Sequence, residues 1–536
     1  VDMLRTTLTA TVLLLALASL VAGQDCQVSN SMKLDCGVSG STQSSCEASG
    51  CCWQELYDGS TVPWCFYPNG TFEAPPPPPP GVPFTSADMQ TMWGFFMANI
   101  DIEGLGGVVA APDNDTPGGS YIYHWERDGA LSMDAYLLTA MPSINNTHFQ
   151  HYAQWVLNVQ NEPDPNGIDV RIEPKYYLPN GEVYDQSWCR PQTDGPALRA
   201  ITLINYANYL IENNQKDYVQ QYLWTGSQSV YNGGAIKFDL DWVVSGWQQN
   251  SCDLWEEVQS TDFFWNRSMF KKAMFLGSDF AAAMGDSSSS ASYYSAATSI
   301  NSTLEAHYNG EFIFESTNRE EDTAVILALN NGYDDSGMFS PTDPRVTQTI
   351  NTFNMLFYTT YSINIEDTSN GVPGILYGRY QGDTYAGGNP WILNTNSLAQ
   401  LFYRGATTLM EKQEMPDRDT MAYWRTIIWT LAKRQHTVES LLAMSPSEFA
   451  MEVATAGDAV MYRVYYHVEP YGFHLSEQID RNTGDEESAT DLTWSYATIM
   501  KAMWYRNYFT AAAAKAHPEL AAHPEWSNFF KQLHWQ

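Results

Sequence analysis

Six cysteines (Cys26, Cys36, Cys46, Cys51, Cys52 and Cys65) crowd one short segment near the start of the chain, and six consecutive prolines, Pro75 to Pro80, follow it. A segment that short cannot bury much core, so covalent cross-links must do the work of one. Spacing alone leaves every pairing open. The proline run favours extended polyproline II, a semi-rigid spacer, and Pro83 prolongs it. These two features place a domain boundary near residues 70–84 and leave a much longer chain beyond it.

That longer part reads mainly as helices. Asp194-Gly195-Pro196 looks like an N-cap followed by an early helical proline. Behind it Ile201, Ile204, Ala207 and Ile211 form one apolar stripe, and Ala200, Leu203, Tyr206 and Leu210 form a second. A helix with two apolar faces is packed on both sides. Further helices are expected near 86–99, 128–141, 147–159, 216–231, 262–284, 289–308, 345–360, 393–412, 419–434, 446–456 and 491–511. Strand–helix alternation is missing, which argues against a parallel α/β sheet.

The 27 Lys+Arg against 61 Asp+Glu give a net charge of −34, which repels phosphate backbones and excludes nucleic acid as a natural partner. Only 16% of residues are charged and 14% are aromatic, the reverse of a disordered acidic chain. Large cores are available, and so is aromatic surface for an uncharged ligand such as a sugar.

Residues 1–23 read as a signal peptide: Arg5 gives the positive end, Val12 to Leu17 the apolar run, and Val21-Ala22-Gly23 a small-residue cleavage site. No membrane span is expected. Asn69, Asn145, Asn266 and Asn301 stand in N-x-Ser/Thr sequons and are the expected glycosylation sites; Asn114, with Pro117 close behind, is discounted. A secreted chain keeps its cysteines as disulfides rather than metal thiolates.

No His-Glu-x-x-His and no Gly-x-Ser-x-Gly occurs. His148 and His151 lie one helical turn apart without an evident third ligand, so no metal is expected. Gly104-Leu105-Gly106-Gly107 lacks a preceding βαβ unit and reads as a turn. The chain does have acids among aromatics. In Cys252-Asp253-Leu254-Trp255-Glu256-Glu257, three carboxylates beside a tryptophan are expected to raise one another's pKa, as a general acid requires. The same letters also read as a helix start, with acids near the macrodipole. Glu477, in Leu475-Ser476-Glu477-Gln478-Ile479-Asp480, is expected in a polar loop, solvated and ionised, either as a base or as an ordinary loop glutamate. In Tyr121-Ile122-Tyr123-His124-Trp125-Glu126-Arg127-Asp128, the Arg127-Asp128 pair could clamp sugar hydroxyls with Trp125 as a stacking face, or form a salt-bridged helix start.

Two resemblances sharpen these readings. Lys33-Leu34-Asp35-Cys36-Gly37, Cys46-x4-Cys51-Cys52-Trp53 and Trp64-Cys65-Phe66-Tyr67-Pro68 resemble a trefoil (P-type) domain over residues 25–68. That pattern implies Cys26–Cys52, Cys36–Cys51 and Cys46–Cys65, and suggests glycans or mucin-like partners.

The acid-bearing segments are joined by Ser187-Trp188-Cys189-Arg190-Pro191-Gln192-Thr193-Asp194, Gly378-Arg379-Tyr380 with Gly388-Asn389-Pro390-Trp391, and Asp491-Leu492-Thr493-Trp494-Ser495-Tyr496. In that order, they resemble the glucoamylases of glycoside hydrolase family 15. The resemblance implies an all-α (α/α)6 barrel over residues 85–536, after a 69–84 linker. It also implies an exo-acting, inverting glucan 1,4-α-glucosidase needing no cofactor and working as a monomer on starch, glycogen or malto-oligosaccharides.

Residue by residue, it implies Glu256 as general acid and Glu477 as general base. Arg127 and Asp128 clamp the terminal glucose, Trp125, Trp188 and Trp391 are aromatic walls, and Tyr121 stands near the base. Glu257 and Arg379 bond substrate, and Asp253 neighbours the acid. Inversion implies carboxyl groups ~6.5–9.5 Å apart. Cys189 and Cys252 border two blocks that the family brings to the pocket, so they are expected to pair. His124 and Glu126 depart from the family's smaller residues, and Glu126 could pair with Arg127 and weaken its sugar contact. About 25 residues follow the last matched helix, fewer than a starch-binding domain needs. The rivals are isomaltose-type or trehalose hydrolysis by the same two acids, or a catalytically silent glycan-binding protein.

Overall fold

The computed structural model describes residues 26–28, 33, 42–48, 51–56, 64–66, 81–140, 145–226, 231–334 and 338–519. The expected leader, the proline linker, Cys36 and Asn69 lie outside the described residues. The chain divides into two compact units, Val1–Pro76 with Thr437–Glu439, and Pro77–His436 with Ser440–Gln536.

In the first unit a short helix, Gln43–Ala48, accompanies a two-residue antiparallel ladder in which Cys52 faces Phe66 and Trp53 faces Cys65. Disulfides join Cys26 to Cys52 and Cys46 to Cys65. Cys46, Cys51 and Cys65 are buried together with Trp53 packed against them, so sulfur fills the place of a side-chain core.

The second unit is helical, and six of its helices form a closed ring. These are α2 (Glu126–Ala140), α4 (Gly195–Glu212), α6 (Phe264–Ala283), α8 (Ala324–Asn331), α11 (Ile392–Lys412) and α14 (Thr493–Ala516). Each touches the next, and α14 closes on α2. Around them stand α1 (Ser86–Ala98), α3 (Asn146–Val159), α5 (Ala235–Gly246), α7 (Ser287–Leu304), α9 (Pro344–Thr360), α10 (Ser362–Ser369), α12 (Arg418–Ala432) and α13 (Pro446–Val468). This is the (α/α)6 arrangement.

Local chemistry explains the helix limits. Thr85 and Asp88 form a reciprocal capping box on α1, and Ser445 and Glu448 form another on α13, with Pro446 just inside. On α4 both apolar stripes are buried except for half-exposed Ile211, as a ring helix requires. Asp194 does not cap α4 with its side chain. Its Oδ2 instead accepts from Arg127 Nη1 at 2.8 Å and Trp265 Nε1 at 2.9 Å. The expected helix at 216–231 is only a turn, Lys216–Tyr218, running into the π turn Val219–Leu223.

The ring positions chemistry because every connection entering it ends at one rim. Trp125 precedes α2, Asp194 precedes α4, Asp322 stands just before α8, Trp391 precedes α11 and Leu492 precedes α14. The helix N-termini, positive ends of their dipoles, therefore surround that rim.

Candidate active site

The segment holding Glu256 is a tight loop closed by a ladder in which Ser251 pairs with Ser260 and Cys252 with Gln259. Asp253 buckles the loop: its Oδ1 accepts from the backbone N–H of Glu257 at 2.7 Å and of Val258 at 3.0 Å. Glu256 itself takes a left-handed backbone, φ 67°. A non-glycine residue pays for that conformation on the order of 1–2 kcal/mol, so the surrounding bonds must hold it there. Trp125 Nε1 and Gln192 Nε2 donate to its Oε1 at 2.9 and 2.8 Å, and Arg127 Nη2 lies 3.6 Å from the same atom. A Cys189–Cys252 disulfide, with Cα atoms 6.0 Å apart, fastens this loop to the segment bearing Trp188.

This corrects two expectations. The segment is not a helix start. Nor do the three acids face one another uncompensated: Arg319 pairs with Asp253 at 2.7 Å and with Glu257 at 2.8 Å, and Arg379 pairs with Glu257 at 2.8 Å. Asp253 is 3% exposed and lies behind the cavity lining, where it shapes the loop.

Glu477 comes from a distant segment of the chain. It opens a hairpin in which Gln478 pairs with Glu487 and Ile479 with Glu486. The expected solvated loop carboxylate is instead buried, 2% exposed. Tyr121 Oη donates to its Oε1 at 2.7 Å, and Ser488 Oγ and Gln478 Nε2 donate to its Oε2 at 2.5 and 3.2 Å. Desolvation pushes this carboxyl above its ordinary pKa, while Ser488, Tyr121, Arg379 and Gln478 pull the other way. The sequence reading missed the burial because the groups that enclose Glu477 come from distant segments. Tyr385 extends the chain of hydroxyls, its Oη 2.7 Å from that of Tyr121.

Arg127 and Asp128 both line the pocket, but differently. The Arg127 guanidinium is already engaged by Asp194, by Gln192 at 3.1 Å and by Glu256, so it orders the surroundings of Glu256 as well as facing the cavity. Burial, then the charge of Glu256, pushes the Asp128 carboxyl up to about 7 against the pull of Arg127. Glu126 does not pair with Arg127. It turns into the protein and meets Arg199 at 2.9 Å, beside His124. Gly129 makes the room: a Cβ there would lie 2.3 Å from the His124 ring.

The walls are aromatic. Trp125 meets Trp188 edge-on at 5.9 Å, and Trp255 meets Trp391 at 5.3 Å. Behind the first pair the Lys175 ammonium lies over four rings, those of Tyr123, Trp125, Tyr184 and Trp188, at 3.7 to 4.3 Å. Burial lowers its pKa to about 8. Arg379 is held by Asp383 and lies over the Trp391 ring at 5.2 Å. No local pattern in the sequence marks Lys175, Arg319 or Tyr385, since each becomes relevant only through a partner far along the chain; Gln192 lies in the Ser187–Asp194 block, which gives it no role of its own. Trp255 and Trp494 lay within quoted blocks and also face the cavity.

The cavity measures about 280 Å³. Glu256 and Glu477 line it together, although their segments meet only through the ring. Among the described residues no group of three or more His, Cys, Asp or Glu is placed to hold a metal. His148 and His151 both bond Asp101, at 2.8 and 2.9 Å. Of the sequons, Asn145 is exposed and Asn301 half-buried. Asn266 is buried, its amide donating to Thr193 and Ser251, which removes it as a glycosylation site in the folded protein.

A tryptophan-walled pocket holding two carboxylates of different surroundings, served by an arginine and a buried aspartate, has the groups that glycoside hydrolysis uses. Residues 98–504 match the Glycosyl hydrolases family 15, and residues 26–68 match the Trefoil (P-type) domain. The chain is 33% identical over 465 residues to the "Glucoamylase" of Blastobotrys adeninivorans, covering 80% of this chain and 73% of that one. It is 30% identical over 448 residues to "Glucoamylase-1" of Schizophyllum commune, covering 78% and 73%. Among solved structures, a glucoamylase from Saccharomycopsis fibuligera matches with a TM-score of 0.70 and 25% identity, covering 79% of this chain and 95% of that one. The glucoamylase of Hormoconis resinae matches with a TM-score of 0.68 and 26% identity, covering 78% and 73%. The chain belongs to glycosyl hydrolase family 15. It is a glycoside hydrolase of glucoamylase type, with a trefoil domain ahead of the catalytic unit.

Proposed function

We propose that this enzyme releases glucose from the non-reducing ends of starch, glycogen and malto-oligosaccharides, with inversion at the anomeric carbon. Glu256 protonates the glycosidic oxygen as an oxocarbenium-like state forms. Water activated by Glu477 then attacks the opposite face. The observation that carries this is the contrast between the two carboxylates. Donors engage both oxygens of buried Glu477, as befits an ionised acceptor. The contacts of Glu256 gather on Oε1, which leaves Oε2 to carry the transferable proton.

Tyr121 and Tyr385 steer the water beside Glu477. Asp128, Arg127, Glu257 and Arg379 hold the terminal glucose between the Trp125–Trp188 and Trp391 walls. Secretion, with sugar chains on exposed sequons such as Asn145, fits the disulfides. No helix among the described residues is long and apolar enough to cross a membrane.

The test is NMR of maltotriose hydrolysis at early times. The expected first product is β-glucose, formed faster from maltotriose than from isomaltose or trehalose. First-formed α-glucose overturns the inverting assignment.

A further inference from the structure

All six ring helices contribute to a second cavity, of about 340 Å³, away from the catalytic rim. Its lining takes Asp134 from α2, Tyr209 from α4, Lys272 from α6, Asn330 from α8, Gln400 from α11 and Lys501 from α14. The α4 and α8 residues lie in the last turns of those helices, so the cavity sits at the end of the barrel opposite the pocket of Glu256 and Glu477. Its size falls within the ~300–1,000 Å³ of small-ligand sites.

The charges there do not balance. Asp134 accepts from Lys501 Nζ at 2.6 Å and from Asn205 Nδ2 at 3.0 Å, so both its oxygens are used. Lys272 Nζ donates to the Asn331 carbonyl at 2.8 Å, and Arg404 Nη1 to the Leu329 carbonyl at 3.2 Å. Among the described residues no carboxylate forms an ion pair with either cation; Asp334 is taken by Lys271 at 3.0 Å. The last carbonyls of α8 position these two cations, but a helix end supplies only a partial negative charge. The Arg404 guanidinium lies over the ring of Tyr505, which lines the cavity, at 5.4 Å. Glu212, the other carboxylate of the lining, is exposed. A chain of net charge −34 thus keeps a local positive excess inside its barrel. Burial, the largest influence, lowers the Lys272 pKa to about 8; Lys501 and Arg404 push the same way, against Asp134 and Asp334.

Hydrogen-bonding capacity is also left over. Gln400 is 3% exposed, and its amide has no protein partner among the described residues. Asn330 Oδ1 is buried without a partner. The hydroxyls of Tyr209 and Tyr505 face no acceptor among the described residues. An ammonium, an amide and two phenols supply mainly donors, and a ligand rich in acceptors satisfies them: a carboxylate takes the charge-assisted bonds, and hydroxyls take the rest.

The geometry points to a binding site for a small organic carboxylate bearing hydroxyl groups, its anionic end on Lys272 and Gln400 and its hydroxyls on Asn330 and the tyrosines. The net negative field opposes the approach of an anion, but salt screens it within ~8 Å, so the charges beside the cavity decide binding. An occupant touching all six staves stabilises the folded barrel by mass action.

The experiment uses the full chain and sodium gluconate, a hydroxylated monocarboxylate, in a buffer free of other carboxylates. Calorimetric titration should show binding, with a rise in Tm. Lys272→Met, which keeps the length and loses the charge, should weaken binding by at least about tenfold. Gln400→Glu, which places a like charge in the cavity, should do the same, and it keeps the test open if Lys272→Met does not fold. As pH rises through about 8 Lys272 discharges, so binding to the parent should fall while the residual binding of Lys272→Met stays level. Glu477→Gln, altered in the catalytic pocket alone, should bind like the parent. Absence of gluconate binding by the parent overturns the proposal, as does unchanged binding by Lys272→Met. Loss of binding in Glu477→Gln would overturn it by placing gluconate in the catalytic pocket. Glucose binding as tightly as gluconate would overturn it too, marking a cavity for neutral polyols.

Discussion

Removing the Ser488 hydroxyl should shift the acid limb of the pH–rate profile to higher pH. Ser488 donates to Glu477 Oε2 at 2.5 Å, the shortest of the three bonds given for that carboxylate, and it is first among the groups that favour the charged form. In its proposed role as base, Glu477 must be ionised to take a proton from water. Desolvation already raises its pKa, so activity is present above that pKa and is lost as pH falls through it. Without the hydroxyl the ionised form loses support, and the loss begins at higher pH.

A hydrogen bond to a charged group contributes about 1.5–3 kcal/mol. Even the lower figure means about tenfold less activity at a fixed pH on the acid limb. The plateau at higher pH, where Glu477 is ionised in both proteins, should stay near the parent rate. Ser488 has a left-handed backbone, φ 67°, so Ser488→Ala keeps the strain and Ser488→Gly relieves it. Both lose the hydroxyl and should move the acid limb alike, which separates the hydrogen bond from the backbone. The assay is kcat/KM on maltotriose across the acid range. A lowered plateau with an unmoved acid limb would refute the reasoning.

Glu256→Gln and Glu477→Gln should each lower kcat by at least ~10²-fold with little change in Tm, read by glucose release and thermal melting. Near-parental turnover in Glu477→Gln would remove it as the base. Replacing Cys189 and Cys252 by serine opens a loop with a sequence separation of 63 and should cost up to about 4 kcal/mol, seen as a lower Tm of the catalytic unit that no longer responds to reductant. A chain starting near Pro83 should fold and hydrolyse malto-oligosaccharides at close to the full-length rate; failure to fold would place the trefoil segment inside the catalytic core.

The helices were legible where their periodicity was amphipathic and their ends carried caps or prolines. Of the fourteen numbered helices three were not read. Ala324–Asn331 is buried almost throughout, so its Ala-Val-Ile-Leu-Ala-Leu letters show no polar face. Ala235–Gly246 and Ser362–Ser369 lack side-chain caps and are short. α13 was expected to stop at 456 but runs to Val468, where Glu469-Pro470 ends it. At the site, resemblance identified the pocket residues, while local reasoning misjudged their surroundings. Glu477 looks solvated beside its own neighbours and is buried by Tyr121 and Ser488. Glu126 looks like a rival for Arg127 and is claimed by Arg199. Asp194 looks like a cap and serves as an anchor. Each error has one cause: a polar side chain's partner is chosen by the fold, and spacing along the chain does not reveal it.

The closure of the ring has a consequence for how the enzyme is made. Asn99 Nδ2 donates to the Asp491 carbonyl and to Thr493 Oγ1, contacts spanning 392 and 394 residues, and Thr493 reaches back to the Val109 carbonyl. The segment supplying Glu477 and the last stave of the barrel thus emerge from the ribosome long after Trp125 and Arg127. At ~5–20 residues per second that interval is roughly 20–80 s. During it Trp125, Trp188 and the Glu256 loop can meet and Cys189 can find Cys252, while Trp391 arrives late and the Glu477 hairpin last. On the proposed assignment of Glu477, turnover therefore begins only once the Glu477 hairpin and α14 have been delivered.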